Sequence, residues 1–88
     1  MEITQVEKIL KALANRRRLK ILKYLKGGKK ASVTELSDHL KITLKATSKH
    51  LTVLKGVDLV ESEQVSLAIF YCLSSSLPKI VADILSFI

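Results

Sequence analysis

The residues best equipped for polar chemistry lie in one run, Thr43-Leu44-Lys45-Ala46-Thr47-Ser48-Lys49-His50-Leu51-Thr52. At helical spacing, Leu44, Thr47, Leu51 and Leu54 share one stripe, while Lys45, Lys49 and Thr52 point the opposite way. Ser48, Ala46 and His50 occupy the flanks. Such a helix has a packed back and a front of ammonium groups, hydroxyls and a small methyl. Those groups can pair with phosphate oxygens, donate to guanine edges and touch thymine methyls. Thr43 is the expected N-cap, its hydroxyl accepting from the first free backbone N–H groups, and Gly56 and Asp58 are expected to end the helix. Leu44 reads equally as core or as a base contact, and Ser48 and Thr52 as contacts or as plain exposed surface.

A second cationic group is Arg16-Arg17-Arg18, opening a helix that turns Leu19, Ile21, Leu22 and Leu25 inward and stops at Gly27-Gly28. Three cations in a first helical turn oppose the macrodipole unless an anion lies nearby. A bound phosphate would supply that anion; simple solvation is the other reading. Ahead of this helix, Ile3, Val6, Ile9, Leu10 and Leu13 mark a helix over about 3–14, broken at Ala14-Asn15. Beyond it, Ser32 and Glu35 form a capping box for a third helix, with Thr34 an alternative cap. The N-terminus of that helix, at Ser32 or Thr34, is a further place for a phosphate.

Downstream of the central run, Leu59–Ser62 and the alternating Leu67–Leu73 read as two short strands around Glu63–Ser66. Ser74-Ser75-Ser76 makes a loop, and Pro78 suits the first turn of a last, very apolar helix over about 77–88. The expected architecture is mainly α with a small β-hairpin, in the order α-α-α-α-β-β-α, as one domain over residues 1–88. That is the order of a winged helix-turn-helix.

Composition narrows the function classes. Residues 1–55 hold fourteen Lys/Arg and four Asp/Glu, net +10, whereas residues 56–88 hold one Lys and four acids, net −3. One end is thus suited to a polyanion. The chain is 48% hydrophobic, more than a domain of 88 residues readily hides, which points to a partner surface, most simply a second copy. No stretch approaches a membrane span and no secretion signal precedes the first helix, so a cytoplasmic location and no membrane partner are expected. The single Cys72 excludes an internal disulfide and any multi-cysteine metal site. Neither paired carboxylates, nor a nucleophile–base arrangement, nor a glycine-rich phosphate loop is visible, so an enzyme is not expected and no cofactor is implied.

The segments ALANRRRLKIL and TSKHLTVLKGVDLV resemble two signatures of the ArsR/SmtB family of winged helix-turn-helix repressors, over about residues 9–73. The resemblance implies a homodimer built by the first and last helices. It further implies a sequence-specific, double-stranded-DNA-binding transcriptional regulator, expected to repress, on a two-fold symmetric site. By matching position, Leu44, Lys45, Ser48, Lys49 and His50 take the base- and phosphate-facing places. The chain departs from the family at its metal sites, at two glycines and in its wing. Where the family carries its thiolate metal pair, this chain reads Glu35-Leu36-Ser37-Asp38-His39-Leu40, and the last helix offers only Asp83, so a metal response is not expected. Lys41 and Asp58 each replace a common family glycine. The wing carries Glu61 and Glu63 in place of basic residues, which predicts little contribution to phosphate binding. The competing reading is a winged-helix module that binds protein, or nucleic acid without sequence choice.

Overall fold

The computed structural model describes all residues, Met1–Ile88, as five helices and a three-stranded antiparallel sheet. In chain order these are α1 (Ile3–Leu13), α2 (Arg16–Leu25), β1 (Ala31–Ser32), α3 (Val33–Leu40), α4 (Leu44–Gly56), β2 (Val60–Val65), β3 (Ala68–Leu73) and α5 (Lys79–Leu85). The order matches the expected winged helix-turn-helix with one addition. Residues Ala31 and Ser32 form a short strand that pairs with Tyr71 and Phe70, giving the sheet order β1-β3-β2. Two residues carry too little alternation to be read as a strand, and only the pairing defines them.

Local chemistry fixes most helix ends. The Asn15 side chain accepts from the backbone N–H groups of Arg17 and Arg18, starting α2. Gly27 and Gly28 both adopt φ +80°, the left-handed region open to glycine at no steric cost. The Ser32–Glu35 capping box forms in full, with Ser32 and not Thr34 as the cap, so Thr34 lies within the first turn of α3. Thr43 caps α4 by accepting from the Ala46 N–H. Helix α4 runs through Gly56, and Asp58 takes the left-handed turn at φ 59°.

The wing is longer and its turn tighter than expected. Glu63, Gln64 and Val65 belong to β2, paired with Phe70, Ile69 and Ala68, and only Ser66-Leu67 turn the hairpin. The last helix is shorter: α5 spans Lys79–Leu85, with Pro78 at its N-cap and not in its first turn. Leu77 and Phe87-Ile88 flank it without being helical. No helix is long and apolar enough to cross a membrane.

One core joins these elements. Ile21, Leu22 and Leu25 of α2 meet Leu36 of α3, Leu51 and Leu54 of α4, Leu59, Val60, Val81 and Leu85, all almost fully excluded from water. Burying such side chains contributes about 1.5–3 kcal/mol each before entropy is counted. Helix α1 adds Ile9, Ala12 and Leu13 from one side only, which leaves its other face without a partner within the chain.

Candidate nucleic-acid interface

Helices α3 and α4 are joined by Lys41-Ile42-Thr43, and the tightness of that turn comes from two residues. Lys41 adopts the left-handed conformation (φ 58°, ψ 43°), and its N–H donates to the Ser37 carbonyl. Ser37, buried, donates its hydroxyl to the Ile42 carbonyl at 2.6 Å. A polar side chain thus ties the end of α3 to the start of α4, satisfying a group the turn would otherwise leave unpaired.

Helix α4 buries Thr47, Leu51 and Leu54 against this scaffold. The Thr47 hydroxyl is satisfied by donating to the Thr43 carbonyl at 2.9 Å. Leu44 departs from the expected packed stripe and is 53% exposed. It shares the azimuth of Leu51 but lies in the first turn, one turn before burial begins. Outward residues of α4 are Lys45, Ser48, Lys49 and Thr52, all exposed, with Ala46 and His50 half-buried on the flanks. Neither lysine is in an ion pair; the chain has only two, Lys30–Glu63 and Lys79–Asp83. Thr52 already donates its hydroxyl to the Ser48 carbonyl at 2.9 Å, which turns that hydroxyl back along the helix.

The three arginines at the start of α2 separate into two kinds. Arg16 and Arg17 are exposed. Arg18 is half-buried and folded onto the end of α1: Nε donates to the Ala12 carbonyl at 2.6 Å and Nη2 to the Lys11 carbonyl at 3.1 Å. The other two terminal carbonyls of α1, those of Leu10 and Leu13, accept from the N–H groups of Ala14 and Asn15. Arg18 therefore completes the cap, and its charge meets the negative end of the α1 dipole, so the positive end of α2 costs it little. Its third contact runs from Nη1 to Nδ1 of His50 on α4, at 3.4 Å. Burial first, then the Arg18 and Arg17 charges, hold His50 below the ordinary imidazole range. The inward course of Arg18 had a signal in the sequence, since it lies i, i+4, i+7 with Leu22 and Leu25.

The remaining residues fall around this surface. Ser32 is occupied in its capping box, while Thr34 is exposed beside it. His39 faces Tyr24, ring centroids 4.7 Å apart, with Lys29 over the same tyrosine. No three His, Cys, Asp or Glu side chains converge as a metal cluster would require. On the wing, Glu63 pairs with Lys30 at 2.8 Å and Glu61 accepts from Ser75, so both acids are engaged within the chain.

A tri-helical core, a cationic helix set on a two-helix turn and a β-hairpin beside it define a winged helix-turn-helix DNA-binding domain. Residues 15–62 match the model of the bacterial regulatory protein, arsR family. The chain belongs to that family of transcriptional regulators. It is 40% identical over 77 residues to the transcriptional activator HlyU of Vibrio cholerae, covering 88% of this chain and 70% of that protein. The solved structure of V. cholerae HlyU superposes with a TM-score of 0.82 at 36% identity, covering 99% of this chain and 92% of that one. A homodimeric winged helix-turn-helix DNA-binding domain from Mycobacterium bovis superposes with a TM-score of 0.81 at 29% identity, covering 97% of this chain and 75% of that one.

Proposed function

We propose that the protein is a homodimeric transcriptional regulator that reads a two-fold symmetric duplex site through α4 and represses by occupying it, without a metal trigger. The observation that carries this reading is the outward face of α4, where Lys45, Ser48, Lys49 and Thr52 are exposed and both ammonium groups lack an acidic partner. Lys45 and Ser48 read base edges, and Leu44 and Ala46 meet thymine methyls. Thr43, Lys49, His50 and Thr52 lie along the same helix toward the sugar-phosphate strands. Arg16, Arg17 and the N-terminus of α3 at Thr34, where Ser32 is taken up by its capping box, contribute phosphate contacts. The absence of the family's cysteine pair from Glu35–Leu40 supports a trigger other than metal.

Dimerisation is supported by the unpartnered sides of α1 and α5. Met1, Val6, Ile9, Leu10, Leu13, Ile80 and Ile84 line a wholly apolar groove of about 150 Å³. Ile3 on α1 and Phe87 after α5 are almost bare, 87% and 86% exposed. A single apolar face that continues onto both terminal helices is what an isologous contact needs. Two copies joined there would set their α4 helices about one DNA turn apart, on the order of 34 Å.

The test is selection of duplexes from a random pool followed by anisotropy titration at several salt concentrations, with sedimentation of the free protein alongside. A two-fold symmetric consensus, a steep salt slope and a dimer are expected. Affinity indifferent to sequence, or a free monomer at micromolar concentration, would overturn the reading in favour of a general interaction module.

A further inference from the structure

We propose that Arg18 is a positioning residue for DNA reading, a bracket that fastens α4 to the end of the dimer helix α1 and fixes the tautomer of His50. The proposal rests on the reading of α4 and α1 given above and adds what couples them. Arginine carries five donors in a rigid planar fork and accepts nothing. In this chain the fork is shared between two elements. Nε and Nη2 take the Ala12 and Lys11 carbonyls of α1, and Nη1 takes Nδ1 of His50 on α4. Arg18 is itself on α2, so one side chain ties three helices together.

The chemistry at His50 follows from the donor. Because Nη1 can only donate, Nδ1 must be the acceptor, and the proton of the neutral ring is on Nε2. An imidazolium would set two donors and two positive charges against each other, with Arg17 adding a third. No carboxylate is among the charges that act on His50, which are those of Arg18 and Arg17 alone. His50 therefore sits on the flank of α4 as a neutral ring with a single outward donor, at a fixed angle. A shift of α1 in the dimer would move the Lys11 and Ala12 carbonyls, then the guanidinium, then His50 and the helix that carries it. Arg18 thus acts on DNA through another residue, in contrast to Arg16 and Arg17, whose exposed guanidinium groups suit phosphate directly.

The experiment compares Arg18→Met, Arg18→Lys, His50→Gln and Arg17→Met in the full chain. Arg18→Met should weaken binding to the selected duplex roughly tenfold, the usual size of coupling between contacting groups, and Arg18→Met with His50→Gln should cost no more than either alone. Its slope of log affinity against log salt should equal that of the unmodified chain, whereas Arg17→Met should reduce the slope by about 0.9 per site for each lost phosphate contact. Nitrogen-15 NMR of the free protein should show His50 as the Nε2–H tautomer and should show its titration midpoint rising in Arg18→Met. Arg18→Lys, which keeps the charge but cannot reach three acceptors, should recover the midpoint in part and the affinity little. A reduced salt slope in Arg18→Met would make Arg18 a phosphate ligand and overturn the proposal. An unmoved His50 midpoint, or additive losses, would do the same. If Arg18→Met fails to fold, the tautomer and the Arg18→Lys titration decide it. Failure of the unmodified chain to select DNA would sink the functional reading while leaving the NMR test of the bracket intact.

Discussion

Helix α4 and the wing are built side by side and use charge in opposite ways. On α4, Lys45 and Lys49 project from a well-packed helix and meet no acid within the chain. On the hairpin, Glu63 is paired to Lys30 across β3, and Glu61 is held by the backbone and hydroxyl of Ser75. Both regions are solvent-exposed, yet only the first leaves its charge available to a ligand. Charge engaged inside the chain organises the chain, and charge left unpartnered is free to recognise something else.

The sharpest way to break the contrast is to remove what supports α4. Leu51 is 1% exposed and packs the middle of the helix against the core. Leu51→Ala should cost about 2–5 kcal/mol of folding stability, through lost transfer energy and the cavity left behind. Chemical denaturation should show the midpoint falling, and DNA affinity should fall with it, because the lysines lose their platform. On the wing only Val60 is fully buried; Tyr71 and Leu73 are half-buried against the core, and Val65, Leu67 and Ile69 are exposed.

Next in size is the loss of a charge from the helix front. Lys45→Ala should cost about 1–3 kcal/mol of binding to the selected site and flatten the preference at the base it reads. Arg17→Ala should instead weaken all duplexes alike. Anisotropy titrations against the selected duplex and a scrambled one separate these outcomes. Equal losses on both duplexes for Lys45→Ala would mean that it holds a phosphate and that base reading lies elsewhere on α4.

The turn between α3 and α4 offers a smaller test. Lys41 holds φ 58°, a conformation that costs a residue with a Cβ about 1–2 kcal/mol. Glycine relieves that strain but adds about 0.5–1 kcal/mol of chain entropy to the unfolded state. Lys41→Gly should therefore raise stability by about 0.5–1 kcal/mol, read as a higher melting temperature, with the helix-turn-helix geometry unchanged. A fall in stability would show that the Lys41 side chain contributes more than its backbone strain suggests.

How much of this was legible in the sequence follows from range of interaction. The capping box at Ser32–Glu35, the Thr43 cap and the Gly27-Gly28 stop are decided by residues within a few positions of one another, and each formed as read. The order of helices and strands followed from the same short-range signals. Leu44 stayed open between core and surface because periodicity gives azimuth and not height: it shares the buried stripe's direction but lies a turn before burial starts. The β1 strand, the Lys30–Glu63 pair and the Arg18–His50 contact join residues 30 to 40 positions apart, and no local pattern announces them. The wing turn was misplaced for the same reason. Polar Glu63 and Gln64 look like turn residues until cross-strand partners on β3 keep them in register.

The smallest expected effect carries the comparison furthest. Glu63→Gln removes the acid nearest the wing's centre and frees Lys30. If the wing stands away from the phosphates, affinity for the selected duplex should change by less than about threefold, the scale of an exposed ion pair. If the wing lies on the backbone, losing a negative charge and releasing a lysine should instead raise both affinity and salt slope, by about 0.9 per phosphate newly engaged. The pair's own pH dependence gives an independent marker. The hydrogen bond and charge of Lys30 hold Glu63 below its ordinary 4.5, and Glu63 raises Lys30 above 10.5. A depressed carboxylate contributes above its unfolded value and loses that contribution as pH falls through the folded one; a raised ammonium loses its contribution only as pH climbs past its own. The tether is thus intact through the neutral range and released below pH 4.5 on the acid side. Amide shifts around Glu63 should move further in that acid window in the unmodified chain than in Glu63→Gln, where Glu61 is the carboxylate left on β2. A β2 that titrates identically in both would show that the hairpin is held by its backbone ladder alone, and that its charge is as free as that of α4.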